Sequence, residues 1–138
     1  LYALTHLNPT IEYGVTFERG TVVEYGDRAQ AFISGTASID NKGRVVHVGD
    51  IVRQTHRMWE NVDALLAEAD MNLTDHAAQI TVYLRDTADY VTVRDLFSAR
   101  FPHVPTIITL APVCRPEWLI EMECIAVADR HNETYRPF

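Results

Sequence analysis

Cysteine is almost missing from this chain: Cys114 and Cys124 are the only two in 138 residues, both in or beside runs that read as strands. That excludes a disulfide scaffold and predicts reduced thiols in a cytoplasmic protein, with Cys114 as a buried or semi-buried structural thiol. Positive charge is also short. With 12 basic against 19 acidic residues and a net charge of −7, the surface lacks what counterion release from a phosphate backbone needs, so no nucleic-acid partner is expected. No apolar run approaches the roughly 20 residues of a membrane helix, and the start of the chain lacks the basic-then-apolar order of a signal peptide. The six histidines, His6, His47, His56, His76, His103 and His131, share no spacing that would place two on one metal, and no Cys-x-x-Cys pair exists. Neither a metal nor another cofactor is expected. A Gly-x-Ser-x-Gly elbow, a phosphate-cradling glycine loop and internal repeats are absent too.

What is present suffices for one core. Hydrophobic residues make up 47% of the chain, which predicts a single domain over residues 1–138 with an N-terminal arm over 1–14. Val15 to Tyr25 and Ala29 to Ile39 are rich in β-branched and aromatic residues around the hairpin signal Gly26-Asp27, predicting two antiparallel strands. A short strand around Val45-Val46 follows. Gly49-Asp50 then offers an N-cap to a long helix whose stripe is Val52, Thr55, Trp59, Val62, Leu66 and Ala69, flanked by Met58 and Leu65. Ile80, Val82 and Leu84 alternate with Gln79, Thr81, Tyr83 and Arg85 as in a half-buried strand. A second helix spans roughly Ala88 to Arg100 and stops before Pro102; strands follow over Thr106 to Val113 and Leu119 to Val127. This order predicts an α+β fold, one mixed sheet with both helices on one face.

The other face of that sheet carries the candidate chemistry. In the final strand Ile120, Met122, Cys124 and Ala126 point one way, and Leu119, Glu121, Glu123, Ile125 and Val127 the other. Simple alternation likewise sets Ser34, Thr36 and Ser38 against Ile33, Gly35, Ala37 and Ile39. A face mixing carboxylates with large aliphatics is expected to bury itself against copies of the same chain; the alternative is a solvated antiparallel face. Glu121 and Glu123 lie about 7 Å apart along the strand. Either could serve as a general acid or base with a raised pKa, or could simply form an interfacial salt bridge. Arg115, in the turn after Cys114, could clamp a carboxylate in two-point geometry or be solvated. Cys114 has no histidine beside it in sequence to make it a nucleophile. Spacing alone assigns no enzyme class.

Four collinear segments resemble the RidA/YjgF family. Phe32-Ile33-Ser34-Gly35-Thr36 is similar to its strand ending in Ser-Gly-Gln, and Gln54-Thr55 with Glu60-Asn61-Val62 to the Gln-Thr and Glu-Asn-Leu of its first helix. Thr81-Val82-Tyr83-Leu84-Arg85-Asp86 is similar to Thr-Val-Phe-Leu-Lys-Asp, and Ile120-Glu121-Met122-Glu123-Cys124-Ile125-Ala126 to the closing Ile-Glu-Ile-Glu-Ala-Ile-Ala. The resemblance implies a chorismate-mutase-like fold and a homotrimer with clefts between subunits. It further implies hydrolysis of reactive enamines or imines to a keto acid and ammonia, with Glu121 orienting water; other members were described as ribonucleases or translation inhibitors.

Some cleft positions depart from the family. Ile107 stands where its arginine grips the substrate carboxylate, Phe17 replaces a tyrosine, and Ala88 falls near an asparagine. Ser34-Gly35-Thr36-Ala37-Ser38, Cys114-Arg115 and Glu121 are similar to the catalytic half of chorismatases, longer relatives that hydrolyse chorismate and release pyruvate. That similarity makes Arg115 a relocated carboxylate anchor. The reading is therefore a trimer binding a small carboxylate-bearing metabolite, acting as an enamine or imine deaminase. Glu121 is its catalytic residue, and Arg115, Cys114, Ser34, Gly35, Thr36, Phe17 and Ile107 form its cleft. Alternatives are a chorismatase-like hydrolase or lyase, a non-enzymatic binding protein and, most distantly, an endoribonuclease.

Overall fold

The long helix forms where its signals lie. In the computed structural model, which describes residues 1–137 and Tyr13 by its backbone alone, helix α1 covers Ile51–Ala67 and the Asp50 carboxylate caps it by accepting from the Arg53 amide. Its buried stripe holds Met58, Trp59, Val62, Leu65 and Leu66, but also Gln54 and Asn61, while Val52 is exposed. The two amides are buried because their side chains tie backbone elsewhere, as described below.

Five strands form one sheet: β1 (Gly20–Glu24), β2 (Arg28–Ala37), β3 (Ala77–Leu84), β4 (Thr106–Leu110) and β5 (Ile120–Asp129). Their order is β1-β2-β5-β3-β4, with β3 and β4 parallel and every other pair antiparallel. Helix α2 (Leu73–His76) is a single turn capped by Asn72, for which the sequence had no periodic signal; α3 covers Tyr90–Arg100 after a 3-10 turn at Thr87–Asp89. Trp59 of α1 meets Phe97 of α3 edge-on with centroids 5.2 Å apart, and Phe101 at 5.6 Å. Both helices thus share one apolar layer with Ile80, Val82, Ile120, Met122 and Cys124 of the sheet. Burial pushes the Cys124 thiol up to about 12, helped by the nearby Asp63 charge. The Val45 region forms an isolated bridge to Ile39 rather than a strand.

The N-terminal arm is docked onto this body. Leu7 is buried, the Leu1 amino group donates to the Gly20 carbonyl at 2.9 Å, and the Tyr2 and Ala3 amides both donate to the Glu68 carboxylate at 2.8 Å. Two strand ends differ from the sequence expectation by three residues or more. β1 starts at Gly20 rather than Val15, and β4 stops at Leu110 rather than Val113, so residues 14–19 and 111–119 become loops at the same end of the sheet. Those loops build the site.

Candidate functional site

Period-two alternation fails in β2 at the place that matters. The register between β2 and β5 shifts between Ile33 and Thr36, so the bulge puts Ser34 and Gly35 together opposite Glu123. Beyond it Ala37 pairs with Glu121, whereas Thr36 pairs with inward-facing Met122. Thr36, expected in the cleft, is therefore buried, its hydroxyl donating to the Ser34 carbonyl at 2.9 Å. The bulge also fixes Gly35: a Cβ there would collide with Oε1 of Glu121, so the glutamate lies flat over the strand only because Gly35 has no side chain.

Around this point the chain leaves a cleft of about 600 Å³ lined by Phe17, Ser34, Gly35, Cys114, Arg115 and Glu121 of the expected set. Val15, Arg19, Ala37, Ile39, Trp118 and Glu123 complete it. Its size falls in the range of small-molecule sites. Ile107 lies outside it, 60% exposed on β4. It pairs with Thr81, which pairs in turn with Glu123, so Ile107 shares the outer face but sits two strands from the carboxylate.

Buried and half-buried polar side chains hold the loops in place. Arg85 donates from Nε to the Trp118 carbonyl at 2.8 Å and from Nη2 to the carbonyls of Val113 and Arg115 at 2.7 and 2.6 Å. Gln54 receives the Leu119 amide at 3.0 Å and donates to the Glu117 carbonyl at 2.9 Å. Asn61 donates to the Ala37 and Ile39 carbonyls at 2.9 and 3.0 Å. These bonds satisfy backbone groups in the loops and at the strand ends. On the opposite lip Arg19, 6% exposed, donates from Nε and Nη2 to the Asn8 carbonyl at 3.0 and 2.7 Å. The Ser34 hydroxyl donates to the Glu18 carbonyl at 2.6 Å, so its proton is already committed.

Arg115 donates to the Gly43 carbonyl at 2.7 Å and lies 5.1 Å from the Trp118 ring centroid, a geometry that keeps the guanidinium at the cleft wall. Cys114 is exposed at the rim, contrary to the buried or semi-buried thiol expected, because β4 has ended before it. Glu121 is half-buried, and that burial raises its pKa above the ordinary carboxylate value, with the Glu123 charge adding to the shift. Tyr83 donates to Glu123 Oε2 at 3.1 Å. A half-buried carboxyl in a cleft whose lining also holds a second carboxylate and two arginine side chains is equipped to give and take a proton beside a polar ligand. Among the described residues, no three His, Cys, Asp or Glu side chains are grouped to hold a metal ion.

The sequence matches the model of the endoribonuclease L-PSP family over residues 21–128. The chain belongs to the RidA/YjgF family. A RutC family protein of Pyrococcus abyssi is 36% identical over 97 residues, covering 69% of this chain and 76% of the relative. The 3-aminoacrylate deaminase RutC of Acinetobacter baylyi is 31% identical over the same shares. The crystal structure of the YjgF gene product from E. coli superimposes with a TM-score of 0.72 at 22% identity, covering 91% of this chain and 95% of that one. E. coli TdcF, solved with bound serine, gives 0.71 at 20% identity over 91% and 94%. This RidA/YjgF member thus has the expected family fold, and a deaminase stands among its relatives. Glu123, two residues from Glu121 on the same strand face, is the wall residue that strand spacing had marked beside Glu121; Arg19 and Trp118 carried no such signal.

Proposed function

We propose that the protein is a deaminase that hydrolyses a small enamine or imine bearing a carboxylate, and that it works as a homotrimer. The observation that carries the reading is the placement of Glu121: half-buried, with a raised pKa, and in one cleft with Phe17, Arg115 and Cys114. The relationship to a 3-aminoacrylate deaminase supports the same chemistry. In the proposed reaction the protonated Glu121 gives its proton to the enamine carbon. The C=C pair forms the new C–H bond while the nitrogen lone pair forms C=N⁺. Water adds to that carbon, returning one proton to Glu121, and the carbinolamine collapses to the carbonyl and ammonia. Arg115 receives the substrate carboxylate in place of the arginine that the family has at Ile107.

Trimer formation would cover the outer face of the sheet, where Phe32 and Val23 are exposed beside Ile125 and Val127. Ile107, outside its own chain's cleft, would then face a neighbouring copy. Light scattering should give three times the chain mass. We place the protein in the cytoplasm, where thiols such as the free Cys114 and Cys124 stay reduced. Among the described residues no helix is long and apolar enough to cross a membrane.

The test is release of ammonia from freshly generated 3-aminoacrylate, which the protein should accelerate well above the buffer rate. Arg115→Ala should raise KM with a smaller effect on kcat. No acceleration at any protein concentration would overturn the deaminase reading. In that case a chorismate-like ring acid that raises the melting temperature would favour the chorismatase-like alternative, which the presence of Cys114, Arg115 and Glu121 in one cleft supports.

A further inference from the structure

Glu121 does not stand alone on its strand, and the neighbouring groups decide which carboxyl carries a proton. Tyr83 of β3 is the cross-strand partner of Glu121, which places their Cβ atoms within about 5.5 Å. Yet the Tyr83 hydroxyl reaches diagonally to Glu123, donating to Oε2 at 3.1 Å. The two glutamates, about 7 Å apart along the strand, line the same cleft. They differ in surroundings: Glu123 is exposed and accepts a hydrogen bond from the Tyr83 phenol, whereas Glu121 is half-buried against Gly35. Other charged or titratable groups on the cleft are Arg19 and Arg115, turned to the carbonyls of Asn8 and Gly43, and Cys114 at the rim.

We propose that Tyr83 is a positioning residue of this site: by donating to Glu123 it holds that carboxylate ionised, so that Glu121 is the member of the pair that carries the proton given to the substrate. The inference rests on the deaminase reading for its use, but the proton assignment can be tested without it. Two like charges at this separation oppose each other's ionisation, and the burial of Glu121 together with a hydrogen bond to ionised Glu123 favours the proton on Glu121. Glu121 is displaced upward by its burial and by the Glu123 charge, and Tyr83 itself is displaced upward by burial and by the same carboxylate. Tyr83 stands where the resembling family strand has phenylalanine, so the hydroxyl is a feature of this chain. An acid that is still protonated above the ordinary glutamate range suits an enamine, whose carbon must be protonated before water can add. An imine needs no such step.

The experiment is a titration of the full chain labelled with ¹³C at the glutamate carboxyl carbons, followed by NMR. Glu121→Gln and Glu123→Gln spectra assign the two signals, and Tyr83→Phe is the decisive variant. Loss of the hydroxyl should raise the Glu123 midpoint and lower that of Glu121, which its burial still holds above the ordinary glutamate range, with the melting temperature unchanged. Glu123→Gln should lower the Glu121 midpoint as well. If ammonia release from 3-aminoacrylate is followed alongside, its alkaline limb should move to lower pH in Tyr83→Phe. Midpoints that stay put in a folded Tyr83→Phe protein would overturn the proposal, whatever the activity. Midpoints that move as expected in a protein releasing no ammonia would leave the Tyr83 assignment standing and overturn the deaminase reading instead.

Discussion

The two faces of β5 solve opposite problems with alternate residues of one strand. Inward, Ile120, Met122, Cys124, Ala126 and Ala128 are all buried in the layer under the helices; outward, Glu121, Glu123, Ile125 and Val127 are exposed or half-exposed. The two cysteines repeat the contrast. Cys124 is held neutral by burial, whereas Cys114 lies open at the cleft rim. The lesson is that the inner face is chosen for volume and the outer face for charge and access. Substitutions on the first should therefore cost stability, and on the second activity or assembly.

The largest effect that would sharpen this contrast is on the inner face. Trp59 is buried among Phe97, Phe101 and His56, with the Arg100 guanidinium 4.6 Å from its ring centroid. Trp59→Ala should lower unfolding free energy by about 3–5 kcal/mol, measured by urea denaturation. A loss under 1 kcal/mol would mean that the helices are not locked through this residue. Next comes Arg85→Ala, which removes three carbonyl bonds from the 113–118 loop. Stability should fall by about 2 kcal/mol, and the melting-temperature rise induced by a bound keto acid should shrink further than stability alone explains. Equal ligand response in wild type and variant would show that the loop does not depend on this clamp. Asp50→Ala, at the N-cap of α1, should cost about 1 kcal/mol and leave that ligand response intact.

The smallest effect concerns acid stability. Asp40 is held down at about 2 from an ordinary 3.8, chiefly by the Arg44 side chain, whose Nε donates to Oδ2 at 2.8 Å. A depressed folded pKa stabilises the native state when the carboxylate is ionised. That contribution is complete above 3.8 and drains away as pH falls toward about 2. Arg44→Ala should flatten this part of the acid limb, seen as melting temperature against pH.

How far the sequence revealed these faces depended on whether the pattern was periodic. In β3, Ile80, Val82 and Leu84 are buried and Thr81 and Tyr83 face outward, as alternation predicts. Helix α1 was legible from its cap and apolar spacing, but Gln54 and Asn61 broke the hydrophobic rule, because each is buried by bonds to distant backbone. The loop residues Phe17, Cys114 and Arg115 were reached through the family resemblance, whereas spacing made the cleft legible only where residues sit in register on a strand, at Glu121 and Glu123. The bulge was not, since inserting one residue at Ser34-Gly35 leaves the local sequence equally consistent with straight alternation; Thr36 was misplaced for that reason. Arg19 and Trp118 reach the wall on loops whose paths are set by long-range bonds to Asn8 and Arg85, which no local spacing encodes.

The division of labour between the faces is tested most directly at Glu121, by measuring unfolding and turnover on one preparation of Glu121→Gln. The account predicts a trimer with near wild-type unfolding free energy whose ammonia release from 3-aminoacrylate is reduced by roughly 10²–10⁴-fold, as for a lost general acid–base group. A variant that instead falls apart or loses several kcal/mol while retaining its turnover would contradict it, and would make Glu121 one half of an interfacial ion pair.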